Sequence, residues 1–174
     1  NNRAGETKNM YEFWGSLLSN LDISERLQPI RELDNIRKRY AGKTIRLYDG
    51  VPLVLSDLNK RYRLALVSNC ATGLSDIIDA LGLDPFFESM ILSFEVGAKK
   101  PDTRIYITAL RTLKLKPEEC IFVADEISDL EGARKVGLKT ILVRQGSHTQ
   151  HEIKDSTFKP DYECSKIIEV LKFI

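Results

Sequence analysis

No segment of this chain approaches the roughly 18 consecutive apolar residues that a membrane-crossing helix needs, and no signal-peptide pattern is visible. Cysteine is scarce. Cys70, Cys120 and Cys164 are odd in number, far apart and without a CxxC pair, so they read as reduced thiols of a cytoplasmic protein rather than a disulfide frame or zinc site. Neither sign of charge dominates: 26 basic against 25 acidic residues leave a net +1, and long basic runs are lacking. A surface built for nucleic acid or anionic lipid takes most of its affinity from a basic excess, so neither partner is expected. The densest basic stretch, Arg37-Lys38-Arg39, reads as a solvated helix end. Histidine is limited to His148 and His151, an HxxH in a polar stretch with no third ligand nearby, which reads as an exposed loop. Internal repeats and low-complexity tracts are missing as well.

What is present is an ordinary globular composition, 174 residues with 43% apolar and 29% charged side chains, enough for one domain with a small appendage. Residues 10–20 and 24–40 carry apolar side chains at helical spacing, Phe13, Leu17 and Leu21 in the first and Leu27, Ile30, Leu33 and Ile36 in the second. Pro29 suits a start nearer Gln28. From Gly50 the pattern changes to strand–helix alternation. Helices are expected over 51–61, over 72–81 closed by Gly82, from Pro101 to about Leu113, over 130–136 closed by Gly137, and over 167–173. Between them, Leu64–Val67, Met90–Leu92, Cys120–Val123 and Thr140–Val143 are continuous apolar runs, the pattern of strands buried on both faces. Repeated βα units predict an α/β fold: a doubly wound, Rossmann-like parallel sheet between helices.

In such sheets ligands bind beyond the carboxyl ends of the strands. After Leu64–Val67 come Ser68 and Asn69, and after Ile121–Val123 come Ala124, Asp125 and Glu126, with Asp129 four positions beyond Asp125. The strand at Met90–Leu92 leads into a loop that ends in Lys99-Lys100-Pro101. A hydroxyl, an amide, a lysine and two acids on one edge suit a phosphate: neutral donors and a cation for its oxygens, and carboxylates for a hard metal. Each element alone is as readily a helix cap or a turn. Their order after successive strands carries the reading.

Leu64-Ala-Leu-Val-Ser68-Asn69, Gly97-Ala-Lys-Lys100-Pro-Asp102 and Ile121-Phe-Val-Ala-Asp125-Glu-Ile-Ser-Asp129 with Gly132-Ala133 resemble the second, third and fourth motifs of the haloacid dehalogenase superfamily. The similarity runs from about Tyr48 to the end, and the helices over 10–40 resemble that family's small cap, giving a helical cap over 1–45 and an α/β core over 46–174. The resemblance implies a magnesium-dependent phosphomonoester hydrolase acting on a small phosphorylated metabolite. It implies Ser68 on the phosphoryl oxygens with Asn69 beside it, Lys100 neutralising phosphate and nucleophile, Asp125 on magnesium, and Asp129 holding the metal directly or through water. The aromatic cluster Tyr11, Phe13 and Trp14 would face the leaving group or pack the cap's own core. Ala124 stands where the family usually has glycine.

The family's first motif, a strand ending in Asp-x-Asp whose first Asp forms an aspartyl-phosphate, does not occur here. Asp49-Gly50 precedes Leu64 by too little for a βαβ crossover. The chain begins Asn1-Asn2-Arg3 without methionine, and the expectation is that the nucleophile strand lies upstream of residue 1, in the same chain or as a separate piece. That strand is central in the family's sheet, between those ending at Val67 and Val123. Losing it forfeits on the order of 10 kcal/mol of apolar burial, so the remainder is expected to fold poorly alone. Two other readings stay open: a metal-independent 2-haloacid dehalogenase, and a catalytically dead relative with a regulatory or binding role.

Overall fold

The computed structural model describes residues 32, 36, 45–70, 73–145 and 157–174. Of the two helices expected over 10–20 and 24–40, only Glu32 and Ile36 fall in this set, both helical. Tyr11, Phe13, Trp14, His148 and His151 lie outside it. The chain divides into two compact units, residues 1–47 with 70–85 and residues 48–69 with 86–174.

The larger unit begins with helix α1 (Val51–Asn59), entered through Gly50 at φ 89°, a left-handed turn that favours glycine. The helix buries Val54 and Leu58 and packs on a terminal 3₁₀ helix, Ile167–Lys172. Strand β1 (Ala65–Ser68) follows. The chain then crosses the smaller unit, whose helix α2 (Leu74–Ala80) buries Ile78. Gly82, at φ 67°, closes α2: its N–H donates to the Asp79 carbonyl at 2.9 Å, and the Leu83 N–H donates to Ile78 at 2.9 Å.

Back in the larger unit, β2 (Ser89–Leu92) pairs parallel with β1, Ala65 opposite Ser89 through Ser68 opposite Leu92. Arg63 and Glu88 tie the entrance of this pair with two charge-assisted hydrogen bonds at 2.6 and 2.5 Å, and the Arg63 guanidinium holds the Glu88 carboxyl below its ordinary range. Next come the single-turn helix α3 (Ser93–Val96), helix α4 (Thr103–Leu113), β3 (Ile121–Ala124), helix α5 (Ile127–Lys135), β4 (Lys139–Val143) and β5 (Tyr162–Cys164). The last three strands form a parallel sheet in the order β3-β4-β5.

All the strands are parallel, as expected, but they form two sheets, and among the described residues nothing pairs β1 with β3. This corrects the expectation that Leu64–Val67 and Cys120–Val123 are buried on both faces. Every residue of β1 and β3 is only half-buried, whereas β4 is buried from Thr140 to Val143. Each of the two strands has an edge that no strand covers among the described residues, which accounts for the exposure.

One apolar core nevertheless spans both sheets. Ile91, Ile105, Tyr106, Ala109, Ala133 and Leu138 are buried together, with Val67 of β1 and Phe122 of β3 packed against them. The Tyr106 and Phe122 rings meet edge to face, centroids 5.1 Å apart. Side chains of the β3-β4-β5 sheet alternate as a pleat requires. Phe122, Ala124 and Leu142 pack with Ile127 and Leu130 of α5, while Ile121, Val123, Ile141 and Val143 pack with Val170 and its neighbours. Both faces are covered, which is the doubly wound arrangement. Fully buried side chains such as Leu130 and Ile141, each 0% exposed, contribute about 1.5–3 kcal/mol apiece.

Several expected boundaries move. Pro101 does not start α4: the Asp102 side chain caps the helix by accepting the Arg104 N–H at 2.9 Å, so Thr103 is its first residue. Helix α5 starts at Ile127 rather than Leu130, which puts Asp129 in its first turn. The terminal helix is 3₁₀, with Glu169 accepting the Ser165 and Lys166 N–H groups at 3.0 and 3.1 Å.

The segment before β5 is anchored by Asp161. Its Oδ2 accepts the Thr140 N–H, the Thr140 hydroxyl and an Arg134 N–H, each at 2.8 Å. Burial pushes the Asp161 carboxyl up, but the Thr140 and Arg134 donors outweigh it and hold it below its ordinary value. A depressed folded-state pKa supplies stability that is present above the unfolded pKa, about 4, and is lost as pH falls through the folded value. Asp161→Ala is therefore expected to lower thermal stability by about 5 °C near neutral pH. In melting curves taken from pH 7 to pH 3, its gap to the unsubstituted protein should close below about pH 4.

Candidate active site

The residues picked out by their positions after strands belong to the larger unit, and the structure ties several of them together. Ser68 is the last residue of β1, opposite Leu92, and Asn69 follows it. The Asn69 amide is committed at both ends: Oδ1 accepts the Lys100 N–H at 2.7 Å, and Nδ2 donates to the Lys100 carbonyl at 3.0 Å. The Lys100–Pro101 peptide is cis.

Lys100 turns its ammonium inward. Nζ lies 2.5 Å from Asp129 Oδ2, with the two side chains only 15% and 5% exposed. The same ammonium sits 5.9 Å from the centre of the Phe122 ring, at the edge of cation–π range. Removing two charges from water is costly, so the pair persists because each ion satisfies the other.

Two residues to which no role was given on sequence hold this pair in place. The Tyr106 hydroxyl donates to the Asp129 carbonyl at 2.7 Å, and burial, with the Asp129 charge adding to it, pushes that hydroxyl's pKa well up. Tyr106 is thus a neutral donor at any physiological pH. Gly132 allows the close approach of α5 to the turn: a Cβ there would stand 2.5 Å from the Pro101 carbonyl oxygen, 2.8 Å from the Tyr106 hydroxyl and 2.9 Å from Pro101 Cα. Glycine inside a helix costs about 1 kcal/mol against alanine, and that cost was the available signal. Tyr106 stands on the apolar stripe of α4, where nothing in sequence separates a packed ring from a packed ring with a donor.

Asp125 is exposed in the turn between β3 and α5, and Glu126 is the N-cap of α5. Ser68 and Asp125 engage no other side chain among the described residues. Lys100, Asn69 and Asp129 are therefore brought into one bonded set, with the Ser68 hydroxyl and the Asp125 carboxylate outside it at the ends of β1 and β3. Among the described residues there is no cluster of three or more His, Cys, Asp or Glu side chains. A zinc-type cage is not formed by them. A cation that prefers one or two carboxylates, with water and phosphate oxygens as its other ligands, suits this donor set. No helix among the described residues is long and apolar enough to cross a membrane.

The sequence profile described as haloacid dehalogenase-like hydrolase matches residues 9–143. A glyceraldehyde 3-phosphate phosphatase of Methanopyrus kandleri is 30% identical over 128 residues, covering 72% of this chain and 55% of that protein. A phosphoglycolate phosphatase of Aquifex aeolicus is 29% identical over 143 residues, 79% of this chain and 65% of that protein. The chain therefore spans about half to two thirds of the length of these relatives. Among solved structures, a HAD phosphatase from Thermococcus onnurineus superposes with a TM-score of 0.72 at 23% identity, covering 92% of this chain and 69% of that one, and so shares its fold. A dehalogenase with a bound intermediate superposes with a TM-score of 0.62 at 28% identity, covering 73% of this chain and 56% of that one.

Proposed function

The chain belongs to the haloacid dehalogenase-like hydrolase family, and from that membership we propose that it forms most of a magnesium-dependent phosphomonoester hydrolase acting on a small phosphorylated metabolite in the cytoplasm. The observation that carries the reading is the buried Lys100–Asp129 pair at 2.5 Å, with Asp125 exposed in the turn after β3 and engaged by no other side chain among the described residues. Relatives named as phosphatases of glyceraldehyde 3-phosphate and of phosphoglycolate support a small phosphate ester as substrate.

In this reading the Ser68 hydroxyl donates to a phosphoryl oxygen. Lys100, held against Asp129, offsets the charge of the phosphoryl group and of the attacking carboxylate. Asp125, with Asp129, would hold magnesium, which would supply further charge neutralisation at the phosphoryl group. The nucleophile is an aspartate on a strand that enters between β1 and β3, pairing with the open edge of each. The half-buried state of both strands and the apolar core that runs beneath both sheets support that placement. The aspartate attacks phosphorus to give an aspartyl-phosphate as the ester oxygen leaves, and water then releases phosphate. The residues over 1–45 act as a cap that sets substrate choice.

The rival reading, a 2-haloacid dehalogenase, draws on the dehalogenase structure at 28% identity. Its nucleophile is also an aspartate, but the chemistry needs no metal, so a chelator separates the two. We expect the full-length protein to hydrolyse p-nitrophenyl phosphate with magnesium, and to lose the activity in excess EDTA. Asp125→Asn should lower kcat roughly 100-fold or more with an unchanged melting temperature, since an exposed carboxylate serves the ion and not the core. Full phosphatase activity in EDTA, or chelator-resistant release of halide from a 2-haloacid, would decide against the proposal. A catalytically dead protein would hydrolyse neither substrate.

A further inference from the structure

We infer that Asn69 is a positioning residue, acting on the reaction through the backbone of Lys100 rather than by touching phosphate. The inference rests on the phosphatase reading for its consequence but on hydrogen-bond geometry for its substance. A primary amide presents one carbonyl and one NH₂ group, and the carbonyl and one N–H of Asn69 are spent on a single residue, at 2.7 Å to the Lys100 N–H and 3.0 Å to the Lys100 carbonyl. That is how a neighbouring strand would grip a residue, N–H and C=O together, and it fixes both the position and the tilt of the Lys100 backbone.

The lysine turn is thereby held from two sides. On one side stands α5, with Gly132 against Pro101 and Asp129 on the ammonium. On the other stands the end of β1, through Asn69. One support is the helix that follows β3 and the other is the end of β1, so the Asn69 bracket links β1 to the turn that carries the cation. A lysine meant to offset developing charge must be set to within a fraction of an ångström. Ser68, one residue earlier, has no such commitment among the described residues, which separates the donor free for phosphate from the amide that is not.

Two arms test this in the full-length protein. The first is acetylation of lysines by an N-hydroxysuccinimide ester, read peptide by peptide in a mass spectrometer. Asn69→Ala should raise the rate at Lys100 about fivefold, as loss of two exposed hydrogen bonds loosens the turn. The rates at Lys60 and Lys172, with side chains 71% and 69% exposed, should stay unchanged. So should alkylation of buried Cys164, the control for general loosening. An unchanged rate at Lys100, or Lys100 and Cys164 rising together, overturns the inference.

The second arm is a double-variant cycle on p-nitrophenyl phosphate turnover. Asn69→Ala should cost about fivefold in kcat when Lys100 is present and less than twofold in a Lys100→Met background. Equal losses in both backgrounds, as an independent phosphate contact or a general folding defect gives, overturn it. If the unsubstituted protein does not hydrolyse the ester, the phosphatase reading falls, and the acetylation arm still decides whether Asn69 positions Lys100.

Discussion

Gly132→Ala is expected to destabilise the protein by about 2 kcal/mol or more and to lower phosphatase kcat roughly 100-fold. On helix propensity alone the change should help, because alanine is better than glycine in a helix interior by up to about 1 kcal/mol. The local geometry reverses the sign. The new Cβ would meet the Pro101 carbonyl oxygen at 2.5 Å, a distance at which something must move, and the neighbours that can move are α5 and the lysine turn. Either shift pulls Asp129 away from Lys100. Removing the Tyr106 hydroxyl, which stands at 2.8 Å from the same point, should not rescue the variant, because the closest contact is backbone and stays. Thermal melts of Gly132→Ala alone and with Tyr106→Phe, alongside turnover, check this. A melting temperature at or above that of the unsubstituted protein would show that α5 and the turn can part without cost at Gly132.

Lys100→Met is expected to cost about 3–5 kcal/mol of stability and to lower kcat roughly 1000-fold, to a residual rate that can still be measured. It strands the Asp129 carboxylate, 5% exposed, without its counter-ion. The reverse change, Asp129→Asn, should cost less stability, since Lys100 is 15% exposed and can swing its ammonium toward water. Both single variants should turn over more slowly by roughly that factor. The double variant Lys100→Met/Asp129→Leu should recover most of the lost stability and none of the activity, because apolar residues of similar volume often replace a buried pair without loss. Denaturant unfolding of the four proteins reads this directly. Equal stability of Lys100→Met and the unsubstituted protein would mean that the pair is solvated rather than buried.

What the sequence made legible was the set of strands with strong apolar runs and the glycines that end helices. The strands at Leu64–Val67 and Cys120–Val123 were each seen one residue early. Their true ends, Ser68 and Ala124, are small residues that still pair with Leu92 and Leu142, and small size hides them from an apolar count. Strand β5 was not legible: Tyr162–Cys164 is three residues long and mostly exposed, and it is a strand because β4 offers it a partner. Helix α3 is a single turn with no periodicity to read. Ser68, Asn69, Lys100, Asp125 and Asp129 stand out in the sequence by their places after strands, and the structure bonds Asn69, Lys100 and Asp129 of these five together. The contacts within that set were not legible. Asn69 lies 31 positions from Lys100, and the use of its amide on a backbone is invisible until the loop is folded. Gly132 and Tyr106 act through close approach, which has no signature in a single sequence beyond an unfavourable glycine inside a helix.

The proposed intermediate is a covalent phosphoryl group carried by an aspartate on a strand between β1 and β3. Its most direct measurement is to quench the full-length protein during turnover of an aryl phosphate with magnesium, reduce it with borohydride, and map the product by mass spectrometry. Borohydride converts an aspartyl-phosphate to homoserine and leaves a free aspartate unchanged. Homoserine is expected at a single aspartate outside residues 48–174, in a segment that protects the amides of β1 and β3 from hydrogen exchange. Homoserine at Asp125 or Asp129, or none at all under conditions of steady turnover, would contradict it.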